Sequence, residues 1–69
     1  MQREPVTSPA IASLGYDPAS RILEVEQKDG EVYQFQDVSE DTYQQLRSSP
    51  SMGQFYRVYV KHIYPSSRV

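Results

Sequence analysis

The residues with the most chemical reach in this chain lie in Phe55-Tyr-Arg-Val-Tyr-Val-Lys-His-Ile-Tyr64, where cations are interleaved with aromatic rings. This mixture suits a single-stranded nucleic acid, because guanidinium and ammonium groups neutralise phosphates while aromatic faces stack on bases. Arg57 and Lys61 have a spacing that puts them on one side of the segment, whether it is helix or strand. Tyr56 or Tyr64 would be the stacking partner, and His62 adjoins Lys61. Any RNA or protein partner is therefore assigned to Tyr56, Arg57, Lys61, His62 and Tyr64. The plainer reading of the same stretch buries Phe55, Tyr56, Tyr59 and Ile63 and leaves Arg57 and Lys61 as a solvated face.

Other constellations are weaker. Glu24 and Glu26 project from the same side of a strand, about 6.5 to 7 Å apart, a spacing found on almost any acidic strand. A solvated face that discourages edge pairing explains them. His62 has no second histidine or cysteine with which to share a metal, and no nucleophile is placed beside it by motif. Gly15, Gly30 and Gly53 are scattered and carry no phosphate-loop Lys-Ser/Thr. The sequence thus predicts no enzyme, no metal and no cofactor.

Charge gives the basic segment a context. Residues 1–41 hold Arg3, Arg21 and Lys28 with all nine acidic side chains, whereas residues 42–69 hold Arg47, Arg57, Lys61 and Arg68 with no acid. A phosphate backbone would meet a favourable potential mainly on the C-terminal side. The net charge of −2 nevertheless limits non-specific affinity, since counterion release scales with the number of phosphates neutralised. Absence of an apolar membrane span and of a signal-like stretch makes the cytoplasm the expected location, with a monomer favoured.

These side chains need a scaffold, and 69 residues with 38% hydrophobic content and no cysteine suffice for one packed domain without disulfides. Arg21 to Asp37 alternates polar and apolar residues around Lys28-Asp29-Gly30 and predicts a β-hairpin. A loop with Gly30 in the left-handed conformation pairs Val25 with Tyr33 and Leu23 with Phe35. These four share the core face; Glu24, Glu26, Val32, Gln34 and Gln36 take the wet one. Ala10 to Tyr16 predicts a preceding strand with Ala12, Leu14 and Tyr16 inward. A turn over Asp17-Pro18-Ala19-Ser20 then sets Tyr16 opposite Arg21 and Leu14 opposite Leu23.

After this three-stranded antiparallel meander, Ser39 caps a short helix whose first turn holds Glu40 and Asp41, with Tyr43 and Leu46 as its apolar pair and Arg47 near its end. Ser51-Met-Gly-Gln54 has capping-box spacing. Met52, Phe55, Tyr56, Tyr59, Val60 and Ile63 then form a helical stripe, although Tyr56, Val58, Val60, His62 and Tyr64 also alternate as a fourth strand would. The expected class is α+β: meander, short helix, then a C-terminal helix on one sheet face. The expected organisation is a flexible N-terminus over 1–7, one domain over 8–65 and a flexible tail over 66–69.

Several of these pieces together resemble a known family. Val6, Ser8 and Ile11 ahead of Leu14-Gly-Tyr-Asp17, then Leu23-Glu-Val-Glu26, Val32-Tyr-Gln-Phe35, Val38, Ser51-x-Gly53-x-Phe55 and Ile63-Tyr-Pro65 are similar to the KTSC domain. That domain occurs at the C-terminus of some lysyl-tRNA synthetases and as a free-standing small bacterial protein. Its central Tyr-x-Tyr stands here as Tyr33-Gln34-Phe35, so one hydroxyl is lost. The resemblance implies a module of uncharacterised function for which the synthetase fusion suggests RNA, tRNA above all. A protein-binding adaptor without nucleic acid is the alternative.

Overall fold

The alternation around Gly30 builds the centre of the molecule. In the computed structural model, which describes residues 2–69, β3 (Ile22–Gln27) and β4 (Val32–Phe35) pair antiparallel. Leu23 stands opposite Phe35 and Val25 opposite Tyr33, as the apolar pattern requires. Gln27 N donates to Glu31 O at 2.8 Å and Gly30 N to Gln27 O at 3.0 Å, closing the loop with Gly30 at φ 91°. A glycine takes that backbone at little cost because it has no Cβ.

The sheet is larger than a meander of three. In chain order it runs β1 (Glu4–Pro5), β2 (Ile11–Asp17), β3, β4 and β5 (Ser66–Arg68), every neighbour antiparallel and every strand beside its sequential neighbour. Both ends that the sequence left flexible therefore carry edge strands. Val6 N donates to Ala12 O at 3.1 Å, and Val69 N to Val32 O at 2.8 Å. The outer edges of β2 and β4 offer unpaired backbone groups, and these short polar segments satisfy part of them without any apolar pattern to announce it. Met1 lies outside the described residues.

Two local features correct the expected β2 alignment. Tyr16 faces Leu23 and Leu14 faces Val25, a slip of two residues that leaves every face unchanged. The cause is Arg21: it joins the loop at φ 59° and donates its N–H to Asp17 O at 2.8 Å, so the strand begins at Ile22. The ladder also bulges between Ile11 and Ser13. One extra residue reverses the alternation there, so Ile11, expected outward, is fully buried.

Helices α1 (Glu40–Ser48) and α2 (Met52–Tyr59) cross between β4 and β5, and α2 excludes the fourth-strand alternative for the segment it occupies. Ser39 caps α1 through Thr42 N at 3.2 Å, and Tyr43 stacks on Tyr16 with ring centroids 4.9 Å apart. The capping box at Ser51 does not form, since its side chain makes no cap bond. The second helix also ends sooner than its stripe suggests: Val60 leaves helical geometry at φ −124°, ahead of Pro65, and Tyr59 and Ile63 remain 58% and 64% exposed. Tyr56 and Val60 carry the burial instead, with Tyr56 set edge-on to Phe35 at 5.8 Å. A Cβ on Gly53 would sit 2.8 Å from Ala10 Cβ, so glycine is what lets α2 approach the chain entering β2.

The opposite sheet face is drier than its composition implies. Glu24, expected in solvent, is 5% exposed, and Ser13 is 8% exposed. Strand β1 brings Arg3 over them, where it pairs with Glu24, while Gln34 donates to Glu24 Oε1 at 2.8 Å and Ser13 to Glu26 Oε1 at 2.8 Å. Burial alone would raise the Glu24 pKa. Hydrogen bonds from Gln34 and Arg3, with the Arg3 charge, outweigh it and hold the carboxyl below the usual glutamate range.

Candidate functional site

Arg57 projects from α2 and Lys61 from the turn after it, and both line a cleft of about 250 Å³ with Lys28, Asp29 and Gln27 of the β3–β4 loop. Ala10 and Gly53 form part of its wall, so the close approach that glycine permits also shapes the cleft. Lys61 N donates to Tyr56 O at 2.8 Å, a wide closing turn five residues back that ends the helix with Lys61 near Arg57.

Hydrogen bonds fix the polar side of the cleft. The Tyr56 hydroxyl donates to Gln27 Oε1 at 2.9 Å; Gln27 Nε2 approaches Asp29 Oδ1 at 3.3 Å, and Glu31 N donates to the same oxygen at 2.9 Å. Burial, and then the neighbouring Tyr33 and Asp29, push the Tyr56 hydroxyl up to about 12, so it remains a proton donor near neutral pH. The Glu31 amide, the Gln27 side chain and, more weakly, Lys61 hold the Asp29 carboxyl below its ordinary value. The cleft therefore presents fixed positive and negative charges together.

Among the described residues, three of the four cations that make no ion pair lie here; the fourth, Arg21, sits in the β2–β3 turn. Arg3 pairs with Glu24, Arg47 with Glu4 at 2.9 Å and Arg68 with Glu31 at 3.2 Å. Among the described residues, Lys28, Arg57 and Lys61 make no ion pair and converge on one opening.

Of the other residues expected there, Tyr56 lines the cleft with its ring buried, and His62 and Tyr64 lie outside it. Tyr56 is only 4% exposed and cannot offer a ring face for stacking, because its hydroxyl and ring are both engaged. His62 is exposed beyond α2 and lines none of this cleft. Tyr64 is half-buried on the other flank of α2, its hydroxyl 3.4 Å from Thr42 Oγ1, in a larger groove of about 680 Å³ shared with Phe55, Tyr59 and Ile63. Winding the segment into a helix thus sends its cations and its exposed rings to different flanks. Lys28 and Asp29, read from sequence only as turn residues, join the site because the hairpin loop docks beside α2.

The KTSC domain model matches residues 7–64. The chain belongs to the KTSC domain family. A crystal structure of a KTSC domain protein from Yersinia pestis is similar over 99% of this chain and 96% of that one, at 35% identity and a TM-score of 0.95. An uncharacterised protein of Stutzerimonas stutzeri is 38% identical over 81% of this chain and 79% of the relative. A protein of Tsukamurella paurometabola is 36% identical over 84% of this chain and 87% of its own length. Phe35, at 1% exposure and against the edge of Tyr56, serves packing.

Proposed function

We propose that this KTSC domain is a non-catalytic module that binds single-stranded RNA weakly, single-stranded parts of tRNA included, through Lys28, Arg57 and Lys61. The observation that carries this reading is the convergence of three unpaired cations on one cleft while the remaining arginines of the basic half are committed to ion pairs. Three cations neutralise few phosphates, so the logarithm of affinity should fall with the logarithm of salt by a slope of about 2, at roughly 0.7 per phosphate on a single strand. The chain's net charge of −2 keeps the remaining surface from adding to that attraction.

Titration of isotope-labelled protein with tRNA and with a short single-stranded RNA, followed by NMR, tests the reading. Amide shifts should concentrate at Lys28, Arg57, Lys61 and their neighbours. Silence at these positions up to high RNA concentration would reject it and leave the exposed apolar flank of α2, with Val58 at 50%, Tyr59 at 58% and Ile63 at 64% exposure, as the contact surface for a protein partner.

A further inference from the structure

Asp29 is the one carboxylate among the cations that line the cleft. A site built for phosphate alone gains nothing from it, since it repels the anion that Lys28, Arg57 and Lys61 attract. Turn chemistry does not demand it either. The turn uses Asp29 Oδ1 as acceptor for Glu31 N at 2.9 Å, and an asparagine oxygen would serve equally. The second oxygen, Oδ2, has only a long contact of 3.4 Å with Gln27 Nε2, so it is left to accept a hydrogen bond from something in the cleft. A ligand that suits all these groups carries a hydroxyl donor close to a phosphate. In RNA every 3′-phosphate has a hydroxyl on the neighbouring ribose carbon, and that hydroxyl is what distinguishes RNA from DNA at a contact.

We infer that Asp29 accepts a hydrogen bond from a ribose 2′-hydroxyl while Lys28, Arg57 and Lys61 hold the adjacent phosphate, making the cleft selective for ribose over deoxyribose. This rests on the RNA reading of the cleft and adds the sugar to it. Asp29 is exposed, so the preference is limited to the strength of one solvent-accessible hydrogen bond, a factor of about 3 to 10.

The test compares a short oligouridylate with the oligodeoxyuridylate of equal length, which differ only in the 2′-hydroxyl, by fluorescence anisotropy at low salt. Wild type should bind the ribose strand about 3 to 10 times more tightly. Asp29→Asn keeps the turn acceptor and removes the acceptor facing the cleft. It should bring the ratio near 1 while its NMR spectrum keeps the wild-type pattern outside the loop. Lys61→Ala should weaken both strands and preserve the ratio. Equal wild-type affinities, or a preference that survives in Asp29→Asn, would overturn the role of Asp29 while leaving phosphate binding intact. Binding of neither strand would overturn the reading of the cleft and the sugar preference with it.

Discussion

The two faces of the sheet are held by different physics. Under the helices, Leu14, Leu23, Val25 and Phe35 meet Val38, Leu46, Tyr56 and Val60 in an apolar core, each of these eight at most 4% exposed. On the other face, Glu24 is nearly as buried, yet it is covered by a charged strap: Arg3 and Gln34 both donate to its carboxylate. The first face depends on area removed from water, the second on keeping one particular side chain ionised and partnered. Burial alone therefore says little about how a face responds to pH or salt.

The sharpest way to break the apolar face is Leu23→Ala. It should cost about 2 to 5 kcal/mol, read from denaturant midpoints, because the fully buried site leaves a cavity. That is a large fraction of the stability of a small domain. Gly53→Val should cost somewhat less, about 1 to 3 kcal/mol, since its new Cβ would lie 2.8 Å from Ala10 Cβ and one backbone segment must yield. A wild-type melting temperature in that variant would show that α2 has room the contact denies.

The charged face should lose less and show its own signature. Glu24→Gln should lower stability by about 1 to 2 kcal/mol near neutral pH. The folded Glu24 pKa lies below its unfolded value, so its stabilisation is complete above about pH 4.3 and is lost as pH falls through the folded pKa. Wild-type and variant stabilities should accordingly converge in acid. A constant gap between the two curves would mean that shape, not charge, is what matters at Glu24. The smallest expected effect is at the cleft. Arg57→Ala with Lys61→Ala should change stability by no more than about 0.5 kcal/mol, because both are exposed and unpaired, while weakening RNA binding and flattening its salt dependence.

The same contrast explains what could be read from the chain. Alternation with an Asp-Gly loop determines the β3–β4 register, since a slip of one residue would put Leu23 and Val25 in solvent. For β2 and β3 a slip of two changes no face, so the pattern could not distinguish Tyr16 opposite Arg21 from Tyr16 opposite Leu23; the left-handed Arg21 decides it. Strands β1 and β5 have no apolar period to read, because their role is to close sheet edges. At the site, Arg57 and Lys61 were legible from their spacing. Lys28 and Asp29 were not, because only tertiary docking brings the hairpin loop to α2. Tyr56 lines the cleft but its ring is buried, which an aromatic beside a cation in sequence does not reveal, since adjacency says nothing about which way the helix turns the ring.

Strand β5 sets the order in which this fold comes apart. The other ladders join segments separated by short loops, whereas β5 reaches β4 only after both helices have been traversed, and all its residues are exposed. Closing that long excursion costs more chain entropy than closing a hairpin, and few buried contacts return it. Strand β5 should therefore detach in small, frequent openings that leave the central hairpins intact. Amide hydrogen exchange would register this as fast deuterium uptake at Val69, whose N–H bonds Val32 O, against slow uptake at Val25 in the same sheet. Each such opening uncovers the outer backbone of β4 for an instant, and the interval before β5 returns measures how long that edge is offered to another strand.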